Sequence, residues 1–394
     1  AIDCSGKFVM PGLIDAHVHL SFCPSPDSET AFRILAEEPD DVRTLRETRN
    51  AQECLLGGMT TVRDCGAKGL TTLAVRDAMA SGLIPGPRIL ASGMPLTQTF
   101  GHLYACGLEV EGVDALRTAV RQLAKDGVDF LKVMATGGMM DKNPNPLLPI
   151  YSQEELNTIC EEARRLDKRT AAHVVSAEGI CRCVEAGINS IEHGAWRCPD
   201  GTVGYDPAVV DRMAAEDVSV VYTISGNRRR WLMENEKGAS GREAFPGQFE
   251  GWKPYRDMRA AGVRVITSSD AGVPATAFRD LYLSLIAFSI VMEMPPMETI
   301  GTATREASEV LGMADEIGTL EPGKLADILV LDADPVADLA NLREVRHVVK
   351  EGRVLVEDGK LVVKRSEMDH RPQTTDHGTT ATPIPPAASD LPPP

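Results

Sequence analysis

Short apolar or β-branched runs recur along the chain. Each is followed by Gly, Ser or Asp and then by apolar residues at helical spacing. Runs of that length bounded by such breakers predict strands. Eight stand out: Gly12–His17, Thr60–Asp64, Arg88–Ala91, Phe130–Met134, Arg169–His173, Ser190–Glu192, Ser219–Tyr222 and Arg264–Thr267. The segments between them carry helix signals with a mechanism. Ser152 and Glu155 form a capping box that starts a helix running to about Leu166. Asp206 before Pro207 sets an N-cap followed by proline in the first turn, where its missing N–H costs nothing. Parallel strands need helical crossovers, so eight strands alternating with helices predict an α/β fold, a (β/α)8 TIM-like barrel. The competing pattern, a doubly wound open sheet, would show a GxGxxG turn after a strand, and there is none.

After Arg305 the texture changes. Glu321-Pro322-Gly323 reads as a turn before the apolar run Ile328–Leu331, and Glu351-Gly352 separates the β-branched runs Val345–Lys350 and Arg353–Val356. These predict a small β appendage. The expected organisation is a residual β segment over 1–10, a barrel over 11–305, the return to the small β domain over 306–364, and a tail over 365–394. The tail is mostly Pro, Thr, Ser and Ala, too poor in large apolar groups to offset its ordering entropy, and is expected to be disordered.

Charge narrows the partners. With 41 Lys and Arg against 57 Asp and Glu in 394 residues, the formal charge is −16. Such a surface repels phosphate backbones and anionic lipid, so a small-molecule substrate is expected, with neither nucleic acid nor membrane. The most apolar stretch, Leu281 to Met294, is too short to span a bilayer and carries Glu293; it predicts a buried helix. Nine cysteines without a CxxC pair point to a reducing, cytoplasmic compartment. The first residue is Ala1 rather than Met, which leaves an upstream segment or leader open. A homo-oligomer is the expected assembly.

The eight histidines are more informative than the charge. His17 and His19 stand at i and i+2 at the end of the first strand, so a period of two turns both imidazoles to one face. Alone, such a pair is commonly incidental; two convergent neutral imidazoles also make half a site for zinc or a similar ion. His173 ends the fifth strand, and His193 follows the sixth one βα unit later. Asp270 follows the eighth, which neighbours the first in a closed barrel. All five fall at C-terminal strand ends, where barrel active sites lie. Lys132, in the fourth strand, is either a strand lysine paired to a carboxylate or something less ordinary. Its ammonium would be repelled by nearby dications, whereas its neutral amine can take up carbon dioxide and become an anionic carbamate.

Taken together, Pro11-Gly12-Leu13-Ile14-Asp15-Ala16-His17-Val18-His19, Lys132, His173, Ile191-Glu192-His193-Gly194 and Ser269-Asp270 resemble the amidohydrolase superfamily. Gly318-Thr319-Leu320-Glu321-Pro322-Gly323-Lys324-Leu325-Ala326-Asp327 resembles its return to a small β-sandwich. The segment Lys132–Gly138 is similar to the imidazolonepropionase-like branch that holds metal-dependent prolidases and Xaa-Arg dipeptidases, with ochratoxin-type and phenylurea hydrolases related. The resemblance implies two divalent metal ions, zinc by preference. His17, His19 and Asp270 would hold one and His173 and His193 the other, with Lys132, as N6-carboxylysine, bridging them. It implies amide hydrolysis by a metal-activated hydroxide, with Asp270 as general base and then acid. Relatives carry several dozen residues before the Pro-Gly-Leu-Ile-Asp segment, so the small domain is expected to be incomplete with an uncovered strand edge. The usual Asn-Pro-Ala near the last barrel helix is replaced by Arg305-Glu306-Ala307.

The substrate-facing residues are less sharply marked. His102 matches a Gly-His position that contacts substrate in relatives, and reads equally as a surface loop histidine. Tyr222 ends the seventh strand, able to bond a substrate oxygen or to serve as a core tyrosine. Arg228, first of three arginines, is either a carboxylate anchor or part of a solvated run, and Ser225 to Trp252 is long enough for a lid. The expected function is a binuclear hydrolase of dipeptides or N-acyl amino acids. The alternative is a hydrolase of xenobiotic amides, phenylureas or carbamates on the same metal chemistry.

Overall fold

A computed structural model of the chain describes residues 2–140, 145–223 and 249–362. In chain order its strands are β1 (Phe8–Pro11), β2 (Leu13–Val18), β3 (Met59–Asp64), β4 (Arg88–Ala91) and β5 (Leu96–Thr97). Next come β6 (Leu108–Glu109), β7 (Phe130–Met134), β8 (Arg169–Ser176), β9 (Ser190–Arg197) and β10 (Ser219–Thr223). Last are β11 (Val265–Ser268), β12 (Ile328–Leu331), β13 (Val345–Lys350), β14 (Arg353–Glu357) and β15 (Lys360–Leu361). All eight expected barrel strands form, as β2, β3, β4, β7, β8, β9, β10 and β11.

The parallel strands fall in two runs, β2-β3-β4 and β11-β10-β9-β8-β7-β5-β6. Backbone bonds join them at both seams. At one, Asp270 N–H donates to His17 O over 2.9 Å and His19 N–H to Ala271 O over 2.8 Å; at the other, Asp129 N–H donates to Ala91 O over 2.9 Å. The result is an α/β barrel. Crossover helices start where their caps dictate: the Ser152/Glu155 capping box opens Gln153–Arg165, and Asp206 accepts from Ala208 N–H with Pro207 at the first position. Helix Leu281–Met292 carries no charged residue and is mostly enclosed, with Leu285, Ala287 and Phe288 fully buried and Tyr282, Ile286 and Ile290 half-buried along one face. Among the described residues no single helix is long and apolar enough to cross a membrane.

The small sheet is antiparallel, in the order β1-β12-β13-β14-β15. Glu351 and Gly352 both take positive φ (51° and 76°), the geometry that matches strand twist in a two-residue hairpin. β1 lies at one edge and leaves Phe8 and Val9 exposed. The texture change at Arg305 does not mark a change of core. Helix Arg305–Leu311 sends Ala307, Val310 and Leu311 against Ile14, Ala16, Val221 and Ile266 of the barrel strands. Glu306 fixes that helix through a two-pronged pair with Arg259, at 2.7 and 2.9 Å. The tail lies outside the described residues. So does most of the segment read as a lid, whose final residues instead begin the helix Phe249–Ala260.

Candidate metal centre

A cavity of about 670 Å3 opens at the C-terminal ends of the barrel strands. His17, His19, Lys132, His173, His193 and Asp270 all line it, so the six residues singled out from the sequence converge on one space. Each imidazole is held at one nitrogen. His17 Nδ1 meets Glu192 Oε2 at 2.7 Å, and His19 Nδ1 meets Gly66 O at 3.0 Å. His173 Nε2 meets Gly137 O at 3.0 Å, and His193 Nδ1 meets Thr223 Oγ1 at 2.7 Å. A carbonyl or carboxylate oxygen only accepts, so in His17, His19 and His173 the held nitrogen carries the proton and the other keeps its lone pair. Burial keeps the rings neutral: it pushes His19 down to about 4 and His17, His173 and His193 well below the usual imidazole range. Neighbouring imidazoles add to the effect.

The donor set fits cations. His17 Nε2 and His19 Nε2 face each other at 3.3 Å, each 3.5 Å from Asp270 Oδ1, so electron-rich atoms crowd together. His17, His193 and Asp270 offer ligand atoms within 4.8 Å of one another. Lys132 Nζ is buried with no hydrogen-bond partner, an arrangement costly for an ammonium and suited to an amine that takes up carbon dioxide. A second grouping, His17, Cys65 and Glu192, lies deeper. There burial pushes the Cys65 thiol up to about 12, and Arg63 neutralises Glu192, so this grouping is a structural anchor.

Local backbone explains how these side chains arrive. His17 on β2 and His19 just past its end turn into the same cavity, and the chain beyond them is tied by Asp64 Oδ1 accepting from Leu20 N–H and by Asn50 donating to Leu20 O and Phe22 O. On β7 and β8, residues 132 and 134, and 173 and 175, reach the cavity at a strand's period of two. β9 breaks that period. Ser190 and Glu192 point into the barrel, where Arg63 donates to both at 3.1 and 2.7 Å, whereas His193, Ala195 and Arg197 line the cavity. The switch lies at His193 and Gly194, both with left-handed φ (69° and 66°), and the register with β8 slips between Val174 and Ser176. Tyr255 Oη donates to His193 O over 3.0 Å and holds the kink. Asp270 is also left-handed (φ 59°), beside Ser269 N–H donating to Asp15 Oδ1. Such backbone costs roughly 1–3 kcal/mol per residue and persists only where its surroundings enforce it.

The remaining candidates separate. His102 is buried rather than on the surface, its ring 4.2 Å from that of His173, and a side chain at Gly138 would overlap it. Tyr222 is buried, lines the cavity and packs edge-on against Tyr255 at 4.5 Å. Arg228 lies outside the described residues. Sequence reading assigned no role to Glu192, Arg63, Thr223 or Arg197. The first stood beside His193 in a quoted motif; the others bore no signal that spacing reveals.

Comparison with known proteins agrees with this geometry. A model of the amidohydrolase family matches residues 8–355. The Aspergillus niger protein described as ochratoxinase is 28% identical over 379 residues, covering 88% of this chain and 75% of its own. A crystal structure of a Xaa-Pro dipeptidase with methionine bound in the active site is similar at TM-score 0.75 and 29% identity, over 90% of this chain and 88% of that one. Phenylurea hydrolase B is similar at TM-score 0.71 over 90% and 86%, but its 23% identity bears on the fold alone. With the family match running from β1 into β14 and every convergent residue at the barrel mouth, the chain belongs to the amidohydrolase family, generally metal-dependent enzymes that hydrolyse amide bonds.

Proposed function

We propose that the chain hydrolyses the amide bond of dipeptides or N-acyl amino acids at a two-metal centre held by His17, His19, Lys132, His173, His193 and Asp270. The observation that carries this reading is the arrangement of four neutral imidazoles, each held at one nitrogen, around a buried lysine without a partner. His17, His19 and Asp270 would hold one ion and His173 and His193 the other. Lys132 would bridge them as the carbamate formed when its amine adds carbon dioxide and releases a proton. Divalent ions bound there would polarise the amide carbonyl and activate a water for attack.

The chain's own groups supply the rest. Asp270 accepts the proton of the attacking water and returns it to the leaving nitrogen. Glu192 fixes the orientation of His17 by accepting its Nδ1–H, and Thr223 fixes that of His193 through the bond between its hydroxyl and Nδ1. His102 and Tyr222 stand on the cavity wall with donors for the carbonyl oxygen or a substrate carboxylate. The relatives named above, a Xaa-Pro dipeptidase and an ochratoxinase, support a substrate that joins an acyl group to an amino acid.

The test is turnover by protein reconstituted with zinc and bicarbonate. The panel pairs dipeptides and N-acyl amino acids with neutral aryl amides and phenylureas. Cleavage concentrated in the free-carboxylate compounds is the expected result. Turnover confined to neutral amides or ureas overturns the substrate reading and favours the xenobiotic one. Full turnover by a metal-loaded Asp270→Asn variant overturns the proton-transfer role.

A further inference from the structure

We infer that Arg197 is the residue that recognises the substrate carboxylate, so that this cavity selects amides bearing a free carboxylate a few bonds from the scissile bond. The inference rests on the hydrolase reading above and adds to it the group that makes the selection. Among the described residues lining the cavity, Lys132 and Arg197 are the cations, and Lys132 is committed to the metal centre. The Arg197 side chain has no hydrogen bond or ion pair with any described residue, although the protein carries 57 acidic groups. Asp27, a carboxylate on the same wall, is already engaged: it caps the helix Ser28–Glu37, accepting from Thr30 N–H at 2.8 Å.

Arg197 is also held in place. Its backbone pairs with Ser176 of β8 on one side and Val203 on the other, so the guanidinium springs from a strand rather than a free loop. The kink at His193–Gly194 puts His193, Ala195 and Arg197 on one face, and all three line the cavity. Four residues of strand span at most ~13 Å, a gap that the arginine stem and a substrate carrying its carboxylate a few bonds from the scissile carbonyl can bridge between them. Much of the remaining wall is apolar, with Phe22, Leu103, Met134, Met140, Val273 and Pro274 among its residues. A substrate carboxylate held away from the metal centre therefore meets one described cation, Arg197, and a guanidinium binds it through two parallel N–H bonds.

The test compares the holoenzyme with Arg197→Gln, Arg197→Ala and Arg197→Lys variants on matched pairs: an N-acyl amino acid and its C-terminal carboxamide. Arg197 is exposed, so the variants are expected to fold, and their thermal melts check this. For the free acid, loss of a charge-assisted contact is expected to raise KM by ~10–100-fold in the Gln and Ala variants, with kcat moved less than ~3-fold. The carboxamide's kcat/KM should shift less than ~3-fold, and Arg197→Lys should recover part of the loss. Equal effects on acid and carboxamide, or none on either, overturn the inference and leave the hydrolase reading standing. The same holds if Arg228→Gln alone gives the selective loss. Wild-type enzyme that cleaves only neutral amides overturns the dipeptide and N-acyl amino acid reading itself, an outcome visible before any variant is made.

Discussion

β8 and β9 lie side by side and each presents one histidine to the cavity, by opposite means. β8 keeps its inward phase: Ala171 packs inside the barrel with Phe130 and Cys65, and His173 and Val175 follow at steps of two. β9 starts in the other phase, with Ser190 and Glu192 inward, and reverses it through two left-handed residues. The reversal lets one strand give two consecutive residues to the site. Glu192 grips His17 from below and His193 enters the cavity itself. A regular strand would turn His193 outward toward the helices. Regularity delivers one imidazole; a broken strand delivers an imidazole and the anchor of another together.

That contrast has a direct mutational reading. Gly194→Val places a branched side chain at φ 66°, with its Cβ 2.7 Å from Val220 Cγ1, and should displace His193. A shift of about 1 Å is enough to cost ~100-fold in turnover, and bound metal should fall from two ions per chain to one. Val175→Ala, on the regular strand, should keep both ions and stay within ~10-fold of wild-type activity. Elemental analysis beside steady-state kinetics separates the two variants. Wild-type behaviour from Gly194→Val would show that the kink does not position the ligand.

Glu192→Gln attacks the other product of the reversal. It leaves the buried Arg63 guanidinium without its charge partner and His17 without its anchor. Removing one member of a buried pair costs about 3–5 kcal/mol, and losing such an anchor weakens metal affinity ~10–100-fold. Denaturant titration and metal competition measure the two losses. Unchanged metal affinity would reduce Glu192 to a partner of Arg63 alone.

Away from both strands, a pH effect should act on stability with no part in the kink. Burial pushes Glu47 up to about 7 and Asp64 up to about 8, opposed by hydrogen bonds from the Thr71 hydroxyl to Glu47 and from Leu20 N–H to Asp64. Folded protein therefore holds protons that the unfolded chain has released. The associated stability is fully present below about pH 4 and is lost as pH rises through 7 and 8. Glu47→Gln should remove about 3 kcal/mol of the decline in unfolding free energy between pH 5 and 8.5. An equally steep decline in the variant would contradict that assignment. The smallest effect is expected from Ser152→Ala, which removes a helix cap remote from the cavity: about 1 kcal/mol by denaturant titration, with turnover unchanged.

The same two strands show what the sequence could and could not tell. Strand period and chain position were enough to place His173, where regular β backbone carries each residue's orientation with it, and to put His17 and His19 on one face although the register of β2 slips between Asp15 and Val18. The positions of all eight barrel strands were legible for the same reason, as were the two helix starts marked by caps. β9 was expected to end at Glu192 and continues to Arg197, since alternation cannot show a strand that changes phase midway. His193 was nonetheless placed, through its motif and one βα spacing rather than through period. The glycine after it was the visible trace of the kink. Arg63 and Thr223 act across strands, through contacts that only closure of the barrel creates. His102 read equally as buried or exposed, and its burial depends on the loop between β5 and β6, two strands too short to be seen in the pattern.

The central claim is a two-metal centre bridged through Lys132. It is tested most directly by counting metal per chain after reconstitution with zinc and 13C-bicarbonate, while recording the carbon NMR spectrum. Two ions per chain are expected, with a carbamate carbon signal that disappears in Lys132→Ala together with bound metal. One ion per chain and no carbamate signal in the wild type would contradict the account.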